Sequence, residues 1–190
     1  MPDDPASAKP PARNVSSHSR REQLRRLAWS VVYHTLFRTS FHTFYRHRAR
    51  LLRAFGARVG NNVRVRRTAR IEMPWNLDLA DGVSVGDEAI LYAIGQIRIG
   101  ARSFVSQYAH LCAATHDHTT DTYPLLRAPI AVGEDCWVAA DAFVGPGVVV
   151  GDRSVVGARA TVIKDVPPDV IVAGNPARVV KPRVFSRSGQ

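Results

Sequence analysis

The sequence predicts an all-β fold, a parallel β-helix built from six-residue repeats and preceded by a helical segment. Three observations predict it: aliphatic residues recur every six positions, Gly or Ala follows all but the last of them, and small or slim residues come four positions after the first five. The series is Val132, Val138, Val144, Val150, Val156 and Val162, followed by Gly133, Ala139, Gly145, Gly151 and Gly157, with Cys136, Ala142, Val148, Ser154 and Ala160 four places on. This period matches neither an α-helix nor a simple alternating strand.

An earlier stretch carries the same period with two shifts of phase. Its series is Val59, Val65, Ile71 and Leu77, then Leu79, Val85, Leu91 and Ile97, then Ile99, Val105 and Leu111. In a parallel β-helix each hexapeptide is a short strand and a bend, and successive turns stack the aliphatic side chains into one internal column. We expect the Gly after each aliphatic residue to adopt backbone angles that a Cβ would penalise. The repeats predict a β-helix over residues 57–163.

The segment before the repeats predicts helix. Residues 1–19 are rich in Pro, Ser and Ala and predict a disordered tail, whereas no Pro or Gly occurs from Gln23 to Phe55. The apolar spacing over residues 20–56 predicts one or two basic amphipathic helices, with a break near 39–40 and an end at Gly56. Residues 164–190 form a C-terminal extension that turns back through a Gly-Asn-Pro sequence.

The positive charge is concentrated in that helical segment. The chain of 190 residues has a formal net charge of +10, and residues 20–53 contain nine arginines and one acid, giving +8. Two interpretations fit: a helix that covers the end of the domain with its arginines solvated, or peripheral contact with an anionic membrane. Nucleic acid is not expected as a partner, because the charge lies in an apolar-rich helix rather than beside stacking platforms. With two cysteines and no signal-like segment, a cytoplasmic location is expected.

The period lapses between Leu111 and Val132, which predicts a loop extruded from the β-helix over residues 112–131. The loop contains the sequence AATHDH. An imidazole titrates near neutral pH and can take a proton from a hydroxyl group. From the residues alone, His116 is either such a general base or a loop histidine hydrogen-bonded to the backbone. His110 and His118 are weaker candidates.

The repeats and several longer stretches resemble the left-handed β-helix of hexapeptide-repeat acyltransferases. The stretches FGARVGNNVRV, PWNLDLADGVSVGD, LYAIGQIRIGARSFVSQYAHLCAATHDH, APIAVGEDCWVAADAFVGPGVVVGDRSVVGARA and GNPARVVK are similar to the colanic-acid biosynthesis acetyltransferase subgroup, related to maltose, galactoside and nodulation-factor O-acetyltransferases. The resemblance runs from about residue 23 to 183. It implies a homotrimer with active sites between subunits, acetyl-CoA as the acyl donor, and no metal.

The resemblance also implies roles for individual residues. His116 corresponds to the general base, and Asp117 would orient an imidazole or contact a sugar hydroxyl. Backbone N–H groups near Ala139 or Ala140 would stabilise the oxyanion. The residues corresponding to the family's acetyl-CoA site are Trp137, Ala140, Ala158, Lys164, Arg178 and Lys181. The repeat pattern alone would make the alanines corner residues, Trp137 a core aromatic and the basic residues solvated.

The acceptor is the least constrained part of the prediction. The family's acceptor-site Asn has no counterpart in the stretch LYAIGQI, where Tyr92 or Gln96 could substitute, and Tyr123 in the loop is a second acceptor-binding candidate. The resemblance implies a sugar hydroxyl in exopolysaccharide biosynthesis, on a lipid-linked precursor or a nucleotide sugar. Two alternatives are a non-catalytic trimeric scaffold and a metal hydratase of the γ-carbonic-anhydrase kind using His110, His116 and His118. A covalent route through Cys136 is disfavoured because buried thiols are usually inert.

Overall fold

The computed structural model describes residues 19–184, so the tail expected over 1–19 lies, apart from Ser19, outside the described residues. Helix α1 spans Arg20–Val32 and continues as a π-helical turn over Tyr33–Phe37, and helix α2 spans Tyr45–Ala54. Gly56, with a φ of 94°, follows the second helix. The predicted helical segment is therefore present as two helices, with the chain between them, 38–44, including the expected break near 39–40.

The rest of the described chain is a solenoid of short strands, numbered in chain order, in three parallel sheets that we call A, B and C. Sheet A contains β1 (Arg58–Val59), β4 (Leu77–Leu79), β7 (Ile97–Ile99), β12 (Ile130–Val132) and β15 (Val149–Val150). Sheet B contains β2 (Arg64–Val65), β5 (Ser84–Val85), β8 (Phe104–Val105), β13 (Trp137–Val138), β16 (Val155–Val156) and β18 (Val170–Ala173), with β19 (Arg178–Pro182) pairing antiparallel to β18. Sheet C contains β3 (Arg70–Glu72), β6 (Ile90–Tyr92), β9 (His110–Cys112), β14 (Phe143–Val144) and β17 (Thr161–Val162). The predicted β-helix is confirmed.

The aliphatic series forms the internal column. Val132 pairs in register with Val150, Val138 with Val156, and Val144 with Val162. All six side chains are at most 2% exposed. Because burying one such side chain contributes about 1.5–3 kcal/mol, the column supplies much of the free energy that stabilises the fold.

The expected reason for the glycines was wrong. Gly133 does not adopt a left-handed backbone angle; those angles fall two residues later, at Asp135 (φ 52°), and at the equivalent Arg153 (φ 58°) one coil on. Gly133 is small because the next coil passes close by: a Cβ there would lie 2.8 Å from the backbone nitrogen of Asp152. Ala139 occupies the equivalent corner position on sheet B, so these corners require small residues rather than glycine alone.

The phase shifts in the sequence mark one widened corner of the solenoid, between sheets C and A. One coil takes 20 residues from Leu79 to Ile99, against 18 from Val132 to Val150. The extra residues enclose a second, small cluster of buried side chains, Met73, Ile94 and Ala114. The Asn76 side chain braces this corner by donating to the carbonyls of Ala93 (2.8 Å) and Ile94 (3.0 Å).

The helical segment covers the first coil, which has no preceding coil to pair with. In the second coil, the carbonyls of Leu79, Val85 and Ala89 accept hydrogen bonds from backbone N–H groups of the first coil. The corresponding carbonyls of the first coil accept from side chains instead. Arg53 donates to Val59 O at 2.9 and 2.7 Å, Arg48 to Val65 O at 2.7 Å, Tyr33 to Ala69 O at 3.2 Å, and Trp29 to Ile71 O at 2.7 Å.

The interpretation of the helices as a cover for the end of the domain therefore holds, but not all of their arginines are solvated. Arg48 is fully buried, and Arg25 lies 4.2 Å from the centre of the Trp75 ring and donates to Phe55 O. These contacts account for only one face of helix α1. Its opposite face leaves Leu24, Leu27 and Val31 exposed. No helix within residues 19–184 combines the length and apolar character needed to cross a bilayer.

Candidate active site

The extruded loop is a β-hairpin that leaves the solenoid at the widened corner. Strand β10 (Ala114–His116) pairs antiparallel with β11 (Leu125–Arg127), and His116 lies opposite Leu125. Ala114 and Leu125 pack on the small cluster inside that corner. The corner therefore serves as a base that holds the hairpin away from the column.

His116 is exposed, and the hairpin backbone determines its tautomer. Its Nδ1 lies 2.6 Å from the carbonyl oxygen of Tyr123. Since a carbonyl can only accept, Nδ1 carries the hydrogen, and in the neutral ring Nε2 keeps a free lone pair. The hydrogen bond to the backbone that the sequence offered as an alternative to catalysis thus orients the ring as a proton acceptor. No sequence pattern identifies a main-chain carbonyl as the orienting group.

Asp117 does not hydrogen-bond to the His116 imidazole. One carboxylate oxygen, Oδ1, accepts from the backbone N–H of Thr119 at 2.9 Å and from its hydroxyl at 2.6 Å. These hydrogen bonds hold the pKa of Asp117 below its usual range. Its backbone N–H donates to Pro124 O at 2.9 Å. Asp117 thus stabilises the turn of the hairpin, and the predicted contact with a sugar hydroxyl stays a prediction.

The other loop and corner residues lie in different surroundings. His110, on sheet C, packs edge-on against Phe143 and Tyr92, and burial lowers its pKa. Tyr92 is half-buried beside the small cluster, whereas Tyr123 is exposed on the hairpin. No three His, Cys, Asp or Glu side chains from 19 to 184 are grouped to hold a metal ion.

Trp137 and the two alanines lie on another side of the solenoid. Trp137 points outward from sheet B with 46% of its surface exposed, so it is not a core aromatic, and its Nε1 donates to the Ser106 hydroxyl at 2.9 Å. Ala140 and Ala158 occupy the corner between sheets B and C, stacked one coil apart, where Arg159 N donates to Ala140 O at 3.0 Å. Ala158 is exposed and Ala140 half-buried, so this corner presents small side chains, and the exposed Trp137 ring lies on the strand that precedes it.

This corner also presents a free backbone donor. The N–H of Ala139 donates to Val156 O at 2.8 Å and is therefore not available to an oxyanion. At the corner between sheets A and B, the N–H of Glu134 is taken by the carboxylate of Asp152, 18 residues on. The residue 18 positions after Ala140 is Ala158, whose side chain carries no acceptor, and the N–H of Ala140 has no partner within the described chain.

The three basic residues predicted to bind the nucleotide phosphates do not all lie in one place at the C-terminal end. Lys164 and Arg178 line one cavity of about 410 Å³ together with Val162 and Pro167. Lys181, in β19 opposite Ile171, does not line that cavity. The structure thus brings two of the three predicted phosphate-binding cations together.

An ion pair that the sequence does not reveal links the hairpin to helix α1. Arg127 Nη2 lies 3.0 Å from Glu22 Oε1 and 2.9 Å from Glu22 Oε2. Arg127 Nη1 also donates to Ile94 O at 3.4 Å in the widened corner. Helix α1, which is anchored on the first coil through Trp29, therefore contacts the hairpin that carries His116.

Within one chain, the two halves of the predicted site lie apart, on different sides of the solenoid. The hairpin with His116 leaves the corner between sheets C and A, whereas Trp137 and Ala140 lie on sheet B and at its corner with sheet C. A reaction centre that used both would have to draw one of them from a second copy of the chain.

Comparisons with known proteins agree with the repeats and the fold described above. The family model for the bacterial transferase hexapeptide, comprising six repeats, matches residues 129–164. The putative colanic acid biosynthesis acetyltransferase WcaF of Escherichia coli (strain K12) is 47% identical over 156 residues, covering 82% of this chain and 86% of that protein.

Solved structures share the architecture. A maltose O-acetyltransferase from Clostridium difficile 630 aligns over 88% of this chain and 90% of its own, with a TM-score of 0.80 and 23% identity. A galactoside acetyltransferase in complex with coenzyme A aligns over 88% of this chain and 84% of its own, with a TM-score of 0.75 and 24% identity. At these identities the two structures establish the fold.

Proposed function

Because the chain belongs to the family of hexapeptide-repeat acetyltransferases, we propose that it transfers an acetyl group from acetyl-CoA to a saccharide hydroxyl, with His116 as the general base. One observation carries the proposal: the Tyr123 carbonyl binds Nδ1 of His116 and leaves Nε2 as an exposed acceptor. An exposed imidazole in this tautomer, held on a hairpin above a rigid column, suits proton removal from an incoming hydroxyl.

The reaction follows from that geometry. The acceptor hydroxyl gives its proton to Nε2 of His116 while its oxygen bonds to the acetyl carbonyl carbon. The carbonyl oxygen becomes an oxyanion, and the free N–H of Ala140 is the proposed donor to it. The C–S bond then breaks, the acetyl ester is released, and the coenzyme A thiolate takes the proton from His116.

The donor side of the site is proposed along the corner between sheets B and C. The small side chains of Ala140 and Ala158 leave the backbone open to a pantetheine arm, and Trp137 borders the acetyl end. Lys164 and Arg178, which share a cavity, suit the anionic nucleotide end, with Lys181 as a further predicted contact. Since Trp137 and His116 lie on different sides of one chain, we propose a homotrimer in which neighbouring subunits complete each site.

The proposal is tested by comparing His116→Ala and His116→Asn with the wild type in acetyl-CoA turnover, against nucleotide sugars and lipid-linked saccharides. Loss of a general base lowers the rate by about 10²–10⁴-fold, so both variants should be nearly inactive with little change in the KM for acetyl-CoA. His118→Ala, two residues away and also exposed, is the matched control. Full activity of His116→Ala would overturn the proposal and favour a non-catalytic scaffold.

The role of the Ala140 N–H has its own test. Ala158→Asn would place a neutral side-chain acceptor beside that N–H, as Asp152 does for Glu134. Loss of one oxyanion donor typically lowers kcat by about 10²–10³-fold, so we expect a fall of at least tenfold. Ala101→Asn, at the corner between sheets A and B, makes the same change away from the site and should leave kcat within twofold. Equal activities of the two variants would exclude this donor.

We also propose that the exposed face of helix α1 contacts an anionic membrane, where a lipid-linked acceptor would be found. Leu24, Leu27 and Val31 are each more than half exposed on that face, and Phe41 and Phe44 are similarly exposed in the turn between the helices. Arg20 and Arg21 on helix α1 and Arg46 and Arg50 on helix α2 are also exposed. Apolar residues beside basic ones are typical of a helix lying in the headgroup region of an anionic leaflet.

Vesicle binding tests this location. The wild type should bind phosphatidylcholine vesicles that contain phosphatidylglycerol and not vesicles of phosphatidylcholine alone. Replacing Leu24, Leu27 and Val31 with Ser should weaken that binding by about tenfold or more, because each removes an inserted apolar group. Ile163→Ser, an exposed apolar residue on the solenoid, is the control. Unchanged vesicle binding in the triple variant would refute membrane contact.

A further inference from the structure

A groove on sheet B lies in the same outward column as Trp137. The parallel register places Arg64 next to Ser84, Ser84 next to Phe104, and Phe104 next to Trp137. Neighbouring strands are separated by about 4.8 Å, so Arg64 lies roughly 14 Å along the column from Trp137. The proposed reaction centre and this groove therefore share one face of the solenoid.

The groove combines aromatic rings with hydrogen-bonding and basic side chains. It encloses about 410 Å³, and its lining includes Tyr45, Arg64, Ser84, Phe104, Gln107 and Tyr108. Phe104 is 42% exposed and Tyr108 60% exposed. Exposed aromatic surface beside a few polar groups is typical of a ligand-binding site.

The charge of the groove favours an anion. Arg64 is exposed and has no ion pair within residues 19–184. Arg66 lies 3.5 Å from Asp87 Oδ2, and Asp87 also accepts from the Thr68 hydroxyl at 2.8 Å. Asp87 is thus the acid of the groove and is already engaged, which leaves the guanidinium of Arg64 as the open charge.

The outward residues of sheets A and C in the corresponding coils differ from those of sheet B. On sheet A, the outward Arg58 and Arg98 share the one carboxylate of Asp78, at 3.8 and 3.6 Å, and the other outward residues are Ala131 and Val149, so this column contains no aromatic ring. On sheet C, the outward residues are Arg70, Ile90, His110 and Phe143, and Arg70 is already paired with Glu88 at 3.0 Å. The combination of exposed aromatic rings and an unneutralised arginine is specific to sheet B.

From this arrangement we propose that the groove binds the part of a saccharide acceptor beyond the acetylated sugar, and that this part carries an anionic group. Phe104 and Tyr108 would stack on sugar rings, and Arg64 would bind a carboxylate or phosphate. The inference rests on the proposed function for its position relative to Trp137. The preferred acceptor is then an acidic saccharide longer than one sugar.

Equilibrium binding to the full chain tests the proposal without acetyl transfer. The probes are cellobiose, cellobiouronic acid and cellobiose 1-phosphate, which share one glycan and differ in charge. We expect the wild type to bind one or both charged probes about tenfold more tightly than cellobiose, the size of one charge-assisted hydrogen bond. Tighter binding of cellobiouronic acid alone identifies a carboxylate, and of the 1-phosphate alone a phosphate.

Two variants and one control assign the effect to residues. Arg64→Gln should abolish the preference for charged probes and leave cellobiose binding within twofold, whereas Phe104→Ala should weaken all three probes about fivefold. Arg58→Gln, on the same coil but on sheet A, should change nothing. A preference that survives Arg64→Gln, or that Arg58→Gln removes equally, overturns the proposal.

The oligomeric state separates a binding groove from a subunit interface. Light scattering should give the same mass for the wild type, Phe104→Ala and Arg64→Gln; dissociation of these variants would show that the face is an interface and would overturn the proposal. Saccharide binding as expected without acetylation of any acceptor would refute the proposed function alone. Acetylation by the wild type without any charge preference would refute the groove alone.

Discussion

The inner coils and the first coil provide hydrogen-bond donors for their strand carbonyls in different ways. Every inner strand meets a neighbour on each side, so its carbonyls are satisfied by backbone N–H groups, as Val85 O is by Arg66 N at 3.0 Å. The first coil has a free edge, and side chains of the helical segment take the place of the missing strand. Backbone pairing is repeated along the whole column, whereas each edge carbonyl depends on one side chain. Single substitutions should therefore affect the stability of the two regions differently.

The free edge also explains the positions of two arginines in the helical segment, Arg48 and Arg53. An exposed edge of parallel strands is a template for pairing with another chain, and repeat proteins need a terminal cap for solubility. A guanidinium group offers five donors in a fixed fork, so one arginine can satisfy several carbonyls. Arg53 donates to both Val59 O and Gly60 O, the latter at 2.7 Å, which shows how this composition serves the fold.

The largest effect is expected from Arg48→Ala. The buried guanidinium donates to the carbonyls of Val65, Phe41 and His42 and to the Ser40 hydroxyl, at 2.7–2.9 Å. Its removal leaves the Val65 carbonyl, whose hydrogen bond is buried, and three part-buried acceptors without this donor, at a cost of about 1–3 kcal/mol for a buried acceptor. We expect the free energy of unfolding to fall by about 3–5 kcal/mol, measured by urea denaturation, with faster proteolysis between residues 38 and 44.

Arg50→Ala is the matched control for that experiment. Arg50 lies on the same helix and is exposed, and its side chain makes no hydrogen bond within the described chain, so its loss should change the free energy of unfolding by less than about 0.5 kcal/mol. If the two variants were equally stable, the edge would not depend on single side chains, and the contrast with the inner coils would disappear.

A smaller effect is expected from Val138→Ala in the column. Val138 is fully buried on sheet B, between Val105 and Val156. Deleting its two methyl groups should cost about 2 kcal/mol, and the effect should be global, with no new protease site, because the surrounding backbone pairing is intact. Val149→Ala, which faces outward and is 47% exposed, should be nearly neutral. Local proteolysis in Val138→Ala would show that the coils also unfold independently.

The same contrast separates what the sequence could predict from what it could not. The period of six identifies the inward positions because every coil repeats the same local geometry, and the lapse after Leu111 locates the hairpin. The two phase shifts were visible, but their meaning, a widened corner that supports the hairpin, depends on side-chain packing of Met73, Ile94 and Ala114. The Tyr123 carbonyl that orients His116 is main chain and leaves no trace in composition.

Contacts between segments that are distant in the sequence could not be predicted either. Glu22 and Arg127 are separated by 105 residues, and neither belongs to a repeat or a motif that would pair them. The cap donors Trp29, Tyr33 and Arg48 were recognisable as helical residues, yet their carbonyl partners could be assigned only after the first coil was placed beside them.

The smallest effect on stability, and the one that links the two regions, is expected at the Glu22–Arg127 ion pair. Glu22→Gln keeps the side-chain shape and removes the charge; since a partly exposed pair contributes at most about 1 kcal/mol, the free energy of unfolding should barely change. If the pair holds the hairpin in position, kcat for acetyl transfer should fall by about threefold to tenfold, with the KM for acetyl-CoA unchanged.

A double-mutant cycle with Arg127→Gln isolates this pair from the other contacts that both residues make. Coupled residues give a double variant no slower than the more affected single variant, because the second change removes an interaction that is already lost. Independent effects on kcat that multiply would instead show that each residue acts through its other neighbours. In that case helix α1 would cap the first coil without positioning His116, and the edge and the active site would be separate features of the fold.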